Sequence, residues 1–346
     1  MSIKQEKGQF YSTNCDYILK GMAIPDNVKV IEPFTGTGEM VKWVTSVKSG
    51  VVEMYDIDSK FPGTLARDTL LDPPDYEGKW VVTNPPYRAR NKSSDKSIFD
   101  TYGTNDLYKC FMYSILEAAG GVIIIPAGFF FSTRPIDVKC RGAFMKRFVV
   151  NRVNYFEERV FDDTPTTVVS ISFSRGGGNL TSQEVPWVKF PCMSERTFHC
   201  CEADKWVVGG EIYNESRKGD IAFSRFVVGS ELKTGQYQTF ITLRALDSGT
   251  EGGRISLDYK DGYIYKGKNT SRTYATLVTT GWELTEDDQI ELCKWFNEFI
   301  ETKRSQYWSL FLPQYRESKE YARKRIPFRL VYDLLTVHLS KNGLFP

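Results

Sequence analysis

Histidine is nearly missing from this chain of 346 residues: only His199 and His338 occur. Cysteine is present seven times but at irregular positions, Cys15, Cys110, Cys140, Cys192, Cys200, Cys201 and Cys293, with no C-x-x-C pair. That pattern disfavours both a zinc site and a disulfide framework and fits free thiols in a reducing compartment, so no metal is expected. Long apolar runs are lacking too. No stretch of 18 or more apolar residues occurs, and Met1 to Phe10 is polar, without the apolar core of a secretory signal. The expectation is a soluble, intracellular protein with no membrane partner. Net charge is also slight, at +2, so any nucleic-acid footprint must be local rather than global.

What is present is an ordinary globular balance, 41% hydrophobic and 25% charged, in a chain long enough to bury a sizeable core. From Val28 to about Arg175, short β-branched or aromatic runs alternate with helix-like segments. Strands are expected at Val28 to Ile31, Val51 to Tyr55, Trp80 to Thr83 and Val122 to Ile125, and a helix over Asn105 to Ala119. Thr167 to Ser174 reads as a closing strand with one face buried. The alternation predicts a doubly wound, Rossmann-like α/β sheet. The glycine cluster Gly176-Gly177-Gly178-Asn179 punctuates the chain and sets an expected boundary between residues 1–178 and 179–346. Beyond it lie short strand-like pieces such as Phe240 to Leu243 and Tyr263 to Tyr265. One clear helix follows, opened by Thr285 and Asp288 in the manner of a capping box, with Leu292, Phe296, Phe299 and Ile300 as its apolar stripe.

Two constellations carry chemistry. The first runs Glu32-Pro33-Phe34-Thr35-Gly36-Thr37-Gly38 from a strand end through a glycine turn into a helix. Glycines allow close backbone approach to a ligand, and an acid at the strand end can hold a cationic group. Dinucleotide binders share such a turn, but Val41 stands where G-x-G-x-x-G has its third glycine. No pyrophosphate needs seating, which tilts the reading from a nicotinamide cofactor towards S-adenosylmethionine. Asp56 lies 20 residues after Gly36 at the end of the next strand, where a carboxylate would accept from both ribose hydroxyls. Ile57 beside it, and Asp68-Thr69 where a third strand end would meet the adenine, complete the set.

The second is Asn84-Pro85-Pro86-Tyr87, directly after Trp80 to Thr83. Paired prolines stiffen a loop at the carboxyl end of a strand, where open α/β sheets bind ligands. The Asn84 side-chain oxygen and the Pro85 carbonyl can accept both hydrogens of a planar amine, releasing its lone pair towards a methyl group. Tyr87 offers a face on which a base can stack. A purely structural Pro-Pro turn is the alternative, and Asp72-Pro73-Pro74-Asp75 is read that way.

With these pieces in place, the chain resembles the gamma-class N6-adenine DNA methyltransferases over roughly residues 7 to 175. The match comprises Gly8 to Thr13, Glu32 to Gly38, Asp56, Asp68, Asn84 to Tyr87, Asp106-Leu107-Tyr108, Gly121 to Pro126 and Val160-Phe161-Asp162. The resemblance implies a catalytic domain followed by a target recognition domain, double-stranded DNA as substrate and S-adenosylmethionine as cofactor. It also implies that Phe10, Tyr11, Ser12 and Thr13 help seat the methionine part, and that Phe161 forms the second aromatic wall of a flipped-base pocket opposite Tyr87. A cognate restriction endonuclease is a possible partner. In the second half, Arg244, Lys266, Lys268, Arg272, Arg323, Lys324 and Arg325 are the candidate DNA contacts, with a solvated basic face as the alternative. Protein glutamine-N5 methylation and RNA adenine-N6 methylation are rival readings. The first shares N-P-P-Y, but those proteins place a helical domain ahead of the glycine turn and end after the catalytic domain.

Overall fold

The computed structural model describes residues 14–161, 166–214, 221–247, 253–317 and 322–341. Phe10 to Thr13 and Asp162 therefore lie outside the described residues. The chain divides into two compact units that meet in sequence at Val208 and Gly209.

The first unit is built on a nine-stranded sheet. Its strands are β1 (Lys29–Glu32), β2 (Val52–Asp56), β3 (Leu65–Ala66), β4 (Lys79–Thr83), β5 (Gly120–Pro126), β6 (Phe148–Phe156), β7 (Val168–Arg175), β8 (Ser182–Phe190) and β9 (Ser194–Cys201). The order is β3-β2-β1-β4-β5-β7-β6-β8-β9. The strands from β3 to β5 pair in parallel, and β7 runs antiparallel between β5 and β6. Fully apolar runs such as Val122 to Ile125, each 0% exposed, are what a parallel sheet covered on both faces requires. Helices α1 (Cys15–Ile18), α2 (Glu39–Val47), α3 (Ser97–Tyr102), α4 (Leu107–Ser114), α5 (Gly128–Phe131) and α6 (Pro135–Arg147) supply the crossovers and cover. Sheet order and direction define a Rossmann-like fold of the S-adenosylmethionine-dependent methyltransferase type. The order reverses beside β1, and a doubly wound sheet opens its ligand crevice at such a point.

The expected boundary at Gly176 to Asn179 falls inside this sheet. The cluster only connects β7 to β8, which pairs in parallel with β6 from Val153↔Trp187 to Phe156↔Phe190, while β9 closes the edge. The first compact unit therefore runs past residue 178 to Val208, and Glu317 and Ala322 group with it as well.

The second unit holds a separate antiparallel sheet of β10 (Ala222–Arg225), β11 (Gln236–Arg244), β12 (Ser256–Tyr259) and β13 (Tyr274–Thr280), in the order β10-β13-β11-β12. Helices α7 (Glu286–Tyr307) and α8 (Phe328–Lys341) accompany it. Leu292, Phe296 and Ile300 of α7 join Ile241, Leu243, Leu277, Val331 and Leu335 in one apolar core. Thr285 caps α7: its hydroxyl accepts from the Asp288 amide, and the Asp288 carboxylate takes the Thr285 amide in return. Tyr263 to Tyr265, expected as a strand, is irregular. Its backbone is held instead by the Thr276 hydroxyl, which accepts from the Tyr265 amide.

Candidate cofactor and catalytic site

β1 ends on Glu32, and the chain turns through Pro33 to Gly38 into α2. Gly36 and Gly38 have φ of 54° and 85°. A Cβ on Gly38 would lie 2.1 Å from the Phe61 ring, so the turn excludes any other residue there on two counts. The turn is tied to β2: the Thr35 amide and hydroxyl both donate to the Tyr55 carbonyl, at 2.9 and 3.1 Å. Asp56, 5% exposed, takes the Gly36 amide on Oδ2 and the Asp58 amide on Oδ1, both at 2.8 Å. The structure thus brings Asp56 against the glycine turn, and each of its oxygens keeps a lone pair for a further donor. Ile57, next in line, leaves 60% of its surface exposed at the strand end. Asp68 accepts from the amides of Leu70 and Leu71, and the Thr69 hydroxyl donates to the Pro33 carbonyl at 2.9 Å. Pro33, Gly36, Asp56, Ile57, Asp68 and Thr69 are therefore gathered at the carboxyl ends of β1, β2 and β3. Phe34 turns its side chain the other way, edge-on to Phe111 at 5.4 Å.

β4 brings the second constellation beside the first. The hydroxyl of Thr83, its last residue, donates to Glu32 Oε1 at 2.5 Å, and the Phe34 amide donates to the same oxygen at 2.9 Å. Glu32 is 0% exposed. Burial pushes its carboxyl up to about 8, against the pull of those two hydrogen bonds and with a small push from Asp56. Immediately after Thr83, the Tyr87 hydroxyl reaches back to Asn84 Oδ1 at 2.5 Å and to the Ile124 carbonyl at 2.8 Å. Burial holds that hydroxyl well above its ordinary value, so it stays a donor. The Tyr87 ring meets Tyr108 edge-on at 6.2 Å. Pro85 is buried and Pro86 half-buried, which fixes the loop between its two polar ends. Phe161, expected as the second aromatic wall opposite Tyr87, is 2% exposed. It belongs to the apolar cluster of Met40, Val41, Phe156 and Phe190 against which Tyr87 packs.

Three residues beyond those expected belong to this site. Thr83 couples the two loops, and a polar residue closing an otherwise apolar strand was the signal for it. Asp106 precedes α4 alongside the segment that follows Tyr87: Leu107 donates its amide to the Arg88 carbonyl, and Arg90 donates to Asn105. Burial pushes the Asp106 carboxyl up to about 6, against the charge of Lys109 and the amides of Tyr108 and Arg88. Tyr108, in the same Asp-Leu-Tyr match, supplies the ring against Tyr87.

In the second unit, two basic runs distant in sequence converge on the end of β11. The Ala245 amide donates to the Thr273 carbonyl, the Ile326 amide to Ala245, and the Asp247 amide to Lys324. Arg244 sits there with its guanidinium 5.5 Å from the Tyr274 ring. Lys266, Lys268 and Arg272 are exposed, and none has an ion pair among the described residues. Their loop is not slack: the Arg225 guanidinium donates to the carbonyls of Asn269 and Ser271, and Asn269 Oδ1 accepts from the Val228 amide at 2.9 Å. Arg323 donates to the Asp247 carbonyl at 3.2 Å, and Arg325 is half-buried. Lys324 is only 6% exposed, which corrects its expected role, since a phosphate cannot reach a side chain turned into the protein.

No helix among the described residues is long and apolar enough to cross a membrane. No protein-family model matches the chain, and no curated protein matches it. Solved structures resemble it in part. A type I restriction-modification system methyltransferase subunit from Streptococcus thermophilus shares 15% identity over 52% of this chain and 47% of its own, with a TM-score of 0.38. The type IIG restriction endonuclease BpuSI shares 14% over 64% of this chain and 36% of its own, at 0.39. The DNA-bound ATP-dependent type ISP restriction-modification enzyme LlaBIII shares 13% over 70% and 24%, also at 0.39. This chain thus spans just under half the length of the type I subunit and less of the others.

Proposed function

We propose that the protein is an S-adenosylmethionine-dependent methyltransferase that methylates the exocyclic amino group of adenine in DNA. The observation that carries this reading is the Thr83–Glu32 hydrogen bond, which joins the glycine turn to the Asn84 loop on neighbouring strand ends. A cofactor seated on the first would present its reactive end to a group held by the second.

The residues fit the cofactor. Gly36 and Gly38 keep the turn free of side chains, Asp56 retains lone pairs at the strand end, and Glu32 Oε2 is a buried oxygen without a partner among the described residues. When bound, S-adenosylmethionine supplies an electrophilic methyl group on a cationic sulfur. The chain's contribution is positioning. Asn84 Oδ1 and the Pro85 carbonyl accept the two amine hydrogens, Tyr87 holds the Asn84 amide in one orientation, and the two prolines, Pro85 buried and Pro86 half-buried, resist its displacement. A base in duplex DNA must leave the stack to reach this loop, at a cost of a few kcal/mol. DNA is favoured as the substrate by Lys266, Lys268 and Arg272, exposed cations with no ion pair among the described residues on a loop whose backbone is tied down.

The test is transfer of labelled methyl groups to unmethylated DNA, RNA and a protein extract, with nucleosides analysed after digestion. N6-methyladenine from DNA is expected with the native protein and loss of at least about 100-fold with Asn84→Ala, the scale of an essential positioning group. Label only in RNA or in protein glutamine would overturn the substrate and leave the cofactor reading standing.

A further inference from the structure

We infer that Glu32 is an uncharged carboxylic acid in the free protein and surrenders its proton when the cationic cofactor is seated, so that cofactor binding is coupled to proton release. This rests on the cofactor reading above and adds to it a chemical property of the site.

The geometry is that of an acid with no counter-charge. Glu32 is 0% exposed, its Oε1 is shared by the Thr83 hydroxyl and the Phe34 amide, and its Oε2 is buried with no hydrogen-bond partner among the described residues. The groups facing it are neutral or acidic from every side: Thr83 on β4, Asp56 on β2, the Phe34 amide in the turn, Tyr76 before β4 and Cys15 on α1. No lysine or arginine acts on it among the described residues. Burial without a cation holds a proton on the carboxyl, in keeping with its displacement to about 8. An unsatisfied buried oxygen is costly in a finished structure, and a cluster of this kind in a ligand crevice points to a ligand that completes it.

A positive charge brought to the end of β1 reverses the balance, because a nearby opposite charge favours the ionised form. Glu32 then loses its proton to solvent. On methyl transfer the S–C bond breaks, the N–C bond forms, the sulfur becomes neutral and the amine gives up one proton. Once the product has left, Glu32 would again lack a counter-charge and take a proton back. One proton is released per turnover overall, and no other base or oxidant is required. Affinity for S-adenosylmethionine should therefore rise with pH, by up to about tenfold per unit, and level off near pH 8. S-adenosylhomocysteine, whose sulfur is neutral, should show a shallower rise.

Two measurements test this. Calorimetric titration of S-adenosylmethionine at pH 7, in buffers of different ionisation enthalpy, should give close to one proton released per cofactor bound. Glu32→Gln, which keeps both hydrogen bonds to Oε1, should bind without release. Buffer-independent heat from the native protein, or equal release from Glu32→Gln, would overturn the inference. Infrared difference spectra of the cofactor-free protein should show a protonated-carboxyl band that titrates near pH 8 and is missing in Glu32→Gln. Absence of that band overturns the inference independently of any ligand. The band without any binding of S-adenosylmethionine would instead sink the cofactor reading and, with it, the coupling.

Discussion

In the proposed reaction, a single hydroxyl at the Asn84 loop sets which end of an amide faces the amine. An asparagine side chain has an acceptor and a donor end of nearly the same shape, and only the acceptor can draw an amine hydrogen. The Tyr87 hydroxyl has one hydrogen, which it shares between Asn84 Oδ1 and the Ile124 carbonyl, and so ties the acceptor end of Asn84 to β5. Tyr87→Phe separates this role from stacking. It should lower kcat about fivefold, the worth of one net hydrogen bond near 1 kcal/mol, while fluorescence of a flipped 2-aminopurine persists. Tyr87→Ala should lose both. Full kcat in Tyr87→Phe would show that the amide needs no such clamp. N-P-P-Y and the glycine turn were legible in the sequence because each is a short run whose chemistry is local. Thr83 and Glu32 as a pair were not, since 51 residues separate them and only the pairing of β1 with β4 makes them neighbours.

The elements beneath the loop are joined by a buried ion pair. Lys109 of α4 and Asp137 of α6 have side chains 3% and 2% exposed, and Asp137 also accepts from Ser132 and Arg134. Burial alone would raise the Asp137 carboxyl, but the hydrogen bonds from Lys109 and Ser132 and the charges of Lys109 and Arg134 outweigh it and hold it below the ordinary value. Its folded value is depressed, so its contribution to stability is present above the unfolded value and fades as pH falls below about 4. Asp137→Ala would leave Lys109 buried without its carboxylate and should cost about 3–5 kcal/mol in denaturant unfolding near neutral pH. A loss under 1 kcal/mol would show that Asn105 alone satisfies the lysine. Elements were legible where one pattern dominates. The apolar runs of β4 and β5 read directly, and α7 announced both its cap and its stripe. Asn105 to Ala119 was too long, since α4 ends at Ser114 and Ile115 to Ala118 form turns. Gly176 to Asn179 misled because glycine-rich punctuation is the same between two paired regions of one sheet as between two domains. The partner of β8 is β6, about 30 residues upstream, and no local pattern announces it.

Across the whole molecule the net charge of +2 says nothing about a polyanionic partner, because 45 cations are set against 43 anions. What matters is which cations lack a counter-ion. Lys303 and Arg304 of α7 look as basic in the sequence as Lys266 and Lys268, yet they pair with Glu211 and Asp247. The cations of the Lys266 to Arg272 loop have no such partners among the described residues, and Arg225 and Asn269 hold their backbone in place. A pre-ordered, unpaired cation releases counter-ions from a phosphate without first breaking an ion pair or ordering a loop. Replacing Lys266, Lys268 and Arg272 together by alanine should weaken DNA binding in proportion across sequences. The slope of log affinity against log salt should become shallower by up to about 3, close to 0.9 per lost phosphate contact. Asn84→Ala, which alters only the catalytic loop, should keep the native slope. If the triple variant also keeps it while the native protein methylates DNA, phosphate contact belongs to another surface. A change confined to particular sequences would make the loop a reader of bases, because phosphate contacts carry no sequence information.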